Sequence, residues 1–354
     1  MKKLSGKILE FFKKEAVLAI SGAAAVITMF IVPPSKEYLV HIDFRVLVLL
    51  FCLMAAVAGF SDNGVFYKLS CLLLEKVKSV RSLGLVLVLL CFVSSMWITN
   101  DVALITFVPF AILILNLAGK TRHIIKIVVL QTIAANLGSM LTPVGNPQNL
   151  RLYTYYNLSL SEFILITLPY AAFSLFIILG TVLLTKNEKL FVKLEAVAED
   201  DSGKSRPYMI AIYSLLFLLS LACVIRLIDY IITFVIVLAA LLIFDRKILK
   251  KVDYSLLLTF VFFFIFVGNI GSIPAVKDAF NRLIAGREFA AGVAASQIIS
   301  NVPAAVLLSA FSSNYKALIL GTNIGGLGTL VASLASLISY KLYCKSDDAR
   351  PARY

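Results

Sequence analysis

The amino-acid sequence predicts an all-α polytopic membrane protein made of two inverted repeats, each with a re-entrant hairpin and a broken transmembrane helix. Composition is the first reason: 60% of the 354 residues are hydrophobic and only 15% are charged, whereas about 25% are charged in soluble domains. The second reason is that apolar runs of about 17 to 25 residues, long enough to cross a bilayer, recur from Ala16 to Tyr340. The third is that one order of motifs, a hairpin tip followed by a helix break, occurs in both halves.

The positive charge is predicted to orient the chain in the membrane rather than to bind nucleic acid. The formal net charge is +13, but no basic soluble domain with interleaved aromatic residues is present to carry a nucleic acid. Lys and Arg concentrate in the cytoplasmic loops of membrane proteins. Both termini are therefore predicted to be cytoplasmic, in a multi-pass protein of the cytoplasmic (inner or plasma) membrane. The basic residues at the two termini are Lys2, Lys3, Lys7, Lys13, Lys14, Lys341, Lys345, Arg350 and Arg353.

The first half, residues 1–185, is predicted to form two spans, an amphipathic interfacial stretch, a hairpin, a broken helix and one further span. Pro33 and Pro34 end the first span, because proline cannot continue a helix. In chain order the elements are 16–32, 45–60, 62–80, hairpin arms 83–98 and 102–118 around the tip at 99–101, an apolar run from 124 with a break at 138–147, and 163–184.

The second half, residues 207–354, follows a polar linker at 186–206 whose basic ends predict a cytoplasmic position. Since this half has no counterpart of the span at 163–184, we expect it to lack the final helix that the symmetry requires. Its elements are 207–225, 230–244, 254–270, an amphipathic stretch at 275–288, hairpin arms 290–299 and 302–311 around the tip at 300–303, and a run at 316–340 with a break at 321–333.

The hairpins are predicted from charge and length together. The charge pattern places the first hairpin entrance inside and the second outside, which makes the halves inverted repeats. The arms around Ser300-Asn301 have only about 10 residues, too few to cross about 30 Å at 1.5 Å per residue. The arms around Asn100 are longer, so length alone leaves that hairpin and two full crossings as alternatives.

The tips and breaks are the predicted binding site. Backbone that is not helical at membrane depth leaves polar groups unpaired unless protein, water or substrate pairs with them, and inverted repeats place the site where the halves meet. The alternative is that each Asn only caps a helix and each Gly only allows close packing. The candidate substrate- or ion-binding residues are Thr99, Asn100, Asp101, Asn136, Gly138, Thr142, Gly145, Asn146, Ser300, Asn301, Thr322, Asn323, Gly325 and Thr329.

Asp101 is the candidate for coupling transport to protons. It follows Asn100 at the start of a helix inside the membrane, where an ionised carboxylate costs about 2.5 to 3.5 kcal/mol and is expected to face a cavity or a partner. Ionised, it would repel a dianion, which favours proton coupling or a neutral or weakly charged substrate. The alternative is that Asp101 serves only as a helix cap.

At these motifs the sequence resembles the ion transporter superfamily, which includes divalent-anion/sodium symporters, citrate-transporter-like proteins, arsenite pump membrane subunits and some sodium/proton antiporters. Thr99-Asn100-Asp101 and Ser300-Asn301-Val302-Pro303 look most like the arsenite-pump and citrate-transporter-like branch, and Gly145-Asn146-Pro147-Gln148-Asn149 is similar to the symporters' Gly-x-Pro-Pro-Asn. The symporters' Ser-Asn-Thr is Thr-Asn-Asp in the first tip and Ser-Asn-Val in the second. The resemblance covers nearly the whole chain and implies an elevator mechanism, ion sites at the tips and a homodimer.

We therefore expect a secondary active transporter of a small anion or oxyacid, coupled to Na⁺ or H⁺ by an elevator-type mechanism. Arsenite or antimonite efflux, with or without an ATPase partner, and sodium/proton antiport are the alternatives within transport. An enzyme is not expected, because no HExxH, GxSxG or Cys/His constellation is present. We expect no cofactor and no bound metal other than sodium at the hairpin tips, and the lipid bilayer and the substrate as partners.

Overall fold

The structure is a computed structural model that describes residues 15–36, 38–74, 77–190, 206–346 and 349–354. Across these ranges it is helical, and the β-structure is an isolated bridge between Ser79 and Lys189. Six helices are long and apolar enough to cross a membrane, which confirms the prediction of an all-α polytopic membrane protein. The N-terminal lysines 2–14 and most of the predicted linker lie outside the described residues.

The helices follow the order that the sequence predicted. In the first half they are α1 Ala16–Ile31, α2 Tyr38–His41, α3 Phe44–Asp62, α4 Val65–Leu74, α5 Val80–Ile98, α6 Asn100–Leu117, α7 Ile124–Ser139, α8 Pro147–Tyr155 and α9 Leu160–Leu183. In the second half they are α10 Pro207–Val224, α11 Tyr230–Phe244, α12 Tyr254–Gly271, α13 Pro274–Ile284, α14 Glu288–Ile299, α15 Asn301–Ser309, α16 Tyr315–Gly325 and α17 Leu334–Cys344. Short 3-10 helices cover Thr121–His123, Arg246–Lys251 and Pro351–Arg353.

The two hairpin tips have the same backbone conformation. Thr99, between α5 and α6, has φ 69° and ψ 150°, and Ser300, between α14 and α15, has φ 74° and ψ 154°. A positive φ is uncommon for residues other than glycine. Its occurrence at matching positions, each directly before an Asn that begins a helix, shows that the two halves repeat one local structure.

The hairpins differ in length. The first has arms of 19 and 18 residues, α5 and α6, and both are among the helices long enough to cross a membrane. The second has arms of 12 and 9 residues, α14 and α15. The second hairpin is therefore the shorter one, as predicted.

Both broken helices are interrupted later than the sequence predicted. The predicted breaks at 138–147 and 321–333 included Gly138 and Gly321, but α7 continues to Ser139 and α16 to Gly325. These glycines instead allow close packing: a Cβ on Gly138 would lie 2.1 Å from the Phe92 carbonyl oxygen, and one on Gly321 would lie 2.5 Å from that of Phe289. Each glycine thus seats a broken helix against the first arm of its own hairpin, so the prediction of a break there was wrong.

The two halves exchange contacts reciprocally. Within each half the first hairpin arm packs against the broken helix, α5 on α7 and α14 on α16. Between halves, the second hairpin arm packs against the helix that resumes after the other break, α6 on α17 and α15 on α8. The same pairs of elements are therefore in contact within and between the two halves. A separate group, α3 with α10 and α11, packs around its own apolar core.

The base of the first hairpin is joined to the segment after α9 by an ion-pair cluster. The Glu188 carboxylate forms ion pairs with Lys120 Nζ at 2.9 Å, with His123 Nε2 at 3.0 Å and with Arg122. Hydrogen bonds from Lys120, His123 and Arg122 lower the pKa of Glu188 to about 2. The Ser79–Lys189 bridge lies next to this cluster, so the segment after α9 contacts both the start of α5 and the loop between α6 and α7.

Candidate functional site

The first part of the candidate site is a hydrogen-bonded triad that joins both halves. Asn100, at the first tip, donates from Nδ2 to Asn136 Oδ1 at 2.8 Å. Ser333, directly before α17, donates from Oγ to the same Asn136 oxygen at 3.1 Å. All three are buried, so the first tip, the first broken helix and the second break meet at one amide oxygen.

The second part is the counterpart of this triad. Asn146, the cap residue of α8, donates from Nδ2 to Asn323 Oδ1 at 3.0 Å and to Ser139 Oγ at 3.0 Å. Asn323 donates from Nδ2 to Asn149 Oδ1 at 2.6 Å. Asn136 and Asn323, the asparagines of the two broken helices, therefore each contact the residue before the helix that follows the break in the other half. Ser139 links the two parts, because its hydroxyl also donates to the Asn136 carbonyl at 2.8 Å.

Backbone hydrogen bonds attach each hairpin tip to the break in its own half. The Asn100 N–H donates to the Gly145 carbonyl at 3.2 Å, and the Asn301 N–H donates to the Ala332 carbonyl at 2.9 Å. Carbonyls in a break have no helical partner and are costly to leave unpaired inside a membrane. The tips supply these partners, which explains why a tip and a break occur together in each half.

A cavity of about 580 Å³ opens onto the first tip. It is lined by Thr99, Asp101 and Asn146, and the carboxylate of Asp253 also faces it. A smaller cavity of about 100 Å³ reaches Ser300 at the second tip. The two tips are therefore unequally accessible in this structure, although their backbones are alike.

A third cavity, of about 320 Å³, touches the network from another side. Asn136 and Thr329 line it together with Ser336, and Tyr354 covers part of it. The Tyr354 hydroxyl is 2.8 Å from Ser339 Oγ. Polar side chains between α7 and α17 thus form part of the wall of this cavity.

The structure brings most of the sequence-predicted residues together, but not all of them face a cavity. Asn100, Asn301, Thr322 and Asn323 are buried, and Thr322 donates to the Leu318 carbonyl at 2.8 Å within its own helix. Thr142 donates to the Met96 carbonyl, and Gly145 N–H donates to Thr142 Oγ1 at 3.1 Å, so both stabilise the break. Gly138 and Gly325 pack against the first hairpin arms, with Ser95 and Ser296 as neighbours.

The sequence-based prediction missed the serines of α17 and Asn149. Asn136 Nδ2 donates to Ser336 Oγ at 3.4 Å, and Thr132 Oγ1 donates to Ser339 Oγ at 2.8 Å. Ser336 and Ser339 are three residues apart and so lie on one face of α17, and Ser333 precedes them by the same spacing at the cap of the helix. That spacing was the available signal, and it was hidden inside a run of otherwise apolar residues.

Both dipoles and charges contribute to the electrostatic character of the site. The hydrogen-bonded network consists of amides and hydroxyls. Four helices, α6, α8, α15 and α17, begin at the hairpin tips and helix breaks, and the N-terminus of a helix carries partial positive charge. Charged side chains line the cavity of about 580 Å³ as well: Asp62, Asp101 and Asp253 together with Lys251 and Lys341.

Broken helices at membrane depth with a polar site between them define a membrane transporter. The sequence profile of the citrate transporter family matches residues 7–317, and the chain belongs to that family. It is 32% identical over 327 residues to an uncharacterized transporter of Methanocaldococcus jannaschii, covering 92% of this chain and 88% of the relative.

Two further relatives come from a bacterium and from a plant. The inner membrane protein YbiR of Escherichia coli is 28% identical over 317 residues, which cover 88% of this chain and 84% of that protein. The silicon efflux transporter LSI3 of Oryza sativa subsp. japonica is 31% identical over 153 residues, 43% of this chain and 30% of that protein.

Proposed function

We propose that this protein is a secondary active transporter that moves a small oxyacid, or its weakly charged anion, across the cytoplasmic membrane. The observation that carries the proposal is the network in which Asn136 and Asn323 each bind the point where the other half's helix resumes. A substrate held there would contact both repeats at once. Substrate binding would then affect the contacts between the two repeats.

The substrate class follows from the donors and the charge. Amide N–H groups, hydroxyls and helix N-termini bind oxygen atoms of a ligand. The Asp101 carboxylate beside them disfavours a dianion, because like charges repel strongly where water is scarce. The family's citrate transporter description and the relative named as a silicon efflux transporter support small oxygen-rich solutes as candidates.

Coupling and movement complete the proposal. Asp101 faces the large cavity and can bind and release a proton during a cycle. The basic loops support an inverted arrangement of the halves, with the basic 3-10 helix Arg246–Lys251 on the cytoplasmic side. The hairpins and broken helices would move as one body against α3, α10 and α11, the elevator mechanism that the family resemblance implies.

Transport by the purified protein in liposomes tests this proposal. The panel is citrate, succinate, sulfate, arsenite and silicic acid, each supplied with a pH gradient, a sodium gradient or neither. We expect one uncharged or singly charged oxyacid to accumulate under the pH gradient and to stop accumulating when a protonophore is added. Accumulation of a dianion alone under the sodium gradient would contradict the substrate class and the coupling ion. No transport above protein-free liposomes would contradict the proposal as a whole.

A further inference from the structure

We propose that Arg45 and Arg226 form a second binding site, for a phosphate group, at one end of the membrane-spanning helices. Arg45 lies in the first turn of α3 and Arg226 lies just after α10. The opposite end of α3 carries Asp62, which pairs with Lys251 of the basic loop. The site is therefore at the other end of the helix bundle from that loop, on the side that the charge pattern predicts to be outside.

The two arginines converge on the same structural elements. Arg45 Nη2 donates to the Cys223 carbonyl at 3.4 Å, and the Arg226 N–H donates to the same carbonyl at 3.0 Å. The Arg226 guanidinium lies 5.3 Å from the ring centroid of Tyr153. The Arg45 guanidinium and the Arg226 backbone thus meet at one carbonyl oxygen, and the Arg226 side chain extends over the Tyr153 ring.

Neither arginine has a carboxylate partner among the residues that the structure describes. The carboxylates nearest in sequence are used elsewhere: Asp43 accepts from Arg151 Nη1 at 2.7 Å, and Asp229 caps α11 by accepting from the Ile231 N–H at 2.8 Å. An anion from outside the chain would supply the ion-pair partner that both arginines lack.

Both arginines also have N–H groups that make no hydrogen bond in the described part of the chain. Arg45 Nε, Arg226 Nε and Arg226 Nη2 are buried and have no hydrogen-bond partner in the described part of the chain. Arg226 is held in this position by a left-handed backbone, φ 65°, and by donation from Nη1 to the Asn157 carbonyl at 3.3 Å. Buried donors without acceptors are unfavourable. Because the backbone conformation of Arg226 keeps its donors in this position, we infer that a ligand supplies the acceptor.

Phosphate is the ligand chemistry that fits these groups. A guanidinium presents parallel N–H donors that match phosphate oxygens, and two of them can share one phosphate. The neighbouring residues are exposed and apolar: Phe44 beside Arg45, with 47% of its surface exposed, and Leu227 beside Arg226, with 75% exposed. This surface can contact acyl chains, so the phosphate can come from a phospholipid headgroup as well as from solution.

Thermal unfolding of the full protein in detergent tests the site. The probes are phosphatidylglycerol, a diacylglycerol with the same acyl chains, and inorganic phosphate without lipid. We expect phosphatidylglycerol to raise the Tm of the wild type and diacylglycerol not to raise it. In the double variant Arg45→Gln/Arg226→Gln, half-saturation should need about tenfold more phosphatidylglycerol. Arg282→Gln, which removes an exposed charge from α13, is the matched control and should respond as the wild type does.

The remaining outcomes separate the sources of phosphate. An equal rise in Tm with inorganic phosphate would assign the site to a free anion, and a rise with lipid alone would assign it to a headgroup. Should the double variant fold poorly, lipid bound to the single variants Arg45→Gln and Arg226→Gln is counted by native mass spectrometry. An unchanged response of the arginine variants, or no response of the wild type to either phosphate source, would overturn the proposal.

Discussion

The Asn146 side chain donates to Asn323 Oδ1 across 3.0 Å, although 177 residues separate them in the sequence. In the equivalent contact Ser333, of the second half, donates to Asn136 Oδ1, of the first half. Each broken helix thus contacts the other half at the position where that half becomes helical again. Each of these hydrogen bonds therefore joins residues of both halves.

Replacing Asn323 with alanine should abolish most of the transport. The substitution removes one of the two acceptors of the Asn146 amide and leaves Asn149 Oδ1 without its donor, which costs about 1 to 3 kcal/mol. We expect the initial transport rate, measured in liposomes at equal amounts of folded protein, to fall at least about tenfold. The matched control is Asn269→Ala, which removes a buried asparagine bonded to Thr28 and Tyr38 and should lower stability with little effect on transport. Equal rates in the two variants would contradict a binding role for Asn323.

Replacing Asp101 with asparagine should remove the dependence of transport on the pH gradient. The amide keeps the size of the side chain but cannot bind and release a proton. Asp253→Asn is the control, because Asp253 faces the same cavity and caps α12 by accepting from the Leu256 N–H at 2.9 Å. Transport is measured in liposomes at several external pH values. An Asp101→Asn protein with the wild-type rate and pH profile would contradict a role for Asp101 in proton coupling.

Replacing Gly138 with alanine should destabilise the protein, whereas Gly180→Ala should not. A Cβ on Gly138 would lie 2.1 Å from the Phe92 carbonyl oxygen, so α7 has to move away from α5. Overpacking of this kind costs about 1 to 3 kcal/mol or more. Gly180 has nothing within 4 Å of its Cβ position, and alanine there gains up to about 1 kcal/mol in helix propensity. The Tm values in detergent should therefore move in opposite directions, and a similar Tm for both variants would be inconsistent with the packing seen between α5 and α7.

The Glu188 cluster should stabilise the protein at neutral pH and lose this effect in acid. The folded-state pKa is about 2, below the ordinary 4.5, because Lys120, His123 and Arg122 hydrogen-bond to the carboxylate. Its contribution is therefore present above about pH 4.5 and is lost as the pH falls toward 2. The difference in Tm between wild type and Glu188→Gln should be largest near neutral pH and shrink steadily below about pH 4.5. A difference that stays constant with pH would argue against the cluster.

Much of the fold could be predicted from the sequence because its signals are local. Span lengths, the two prolines after α1 and the hydroxyl-Asn pairs at both tips each act within a few residues. The start of each helix break could not be predicted in this way. Glycine weakens a helix but also allows close packing, and only the position of Phe92 shows that Gly138 serves the second purpose.

The candidate site could be predicted only in part for a similar reason. Asn100, Asn136, Asn146 and Asn323 were identifiable as asparagines at tips and breaks. Ser333 was not, because its role depends on an acceptor in the other half, 197 residues away. Arg45 and Arg226 were equally inconspicuous, since charged residues at the ends of membrane spans are routine.

The unequal cavities at the two tips have a pharmacological consequence. A rigid compound that fills the space of about 580 Å³ beside Thr99 has no equivalent volume beside Ser300, where about 100 Å³ is open. In the alternating cycle proposed above, such a compound would bind the arrangement seen here and draw the population toward it. Comparing inhibition from the two faces of the membrane would then measure which arrangement prevails.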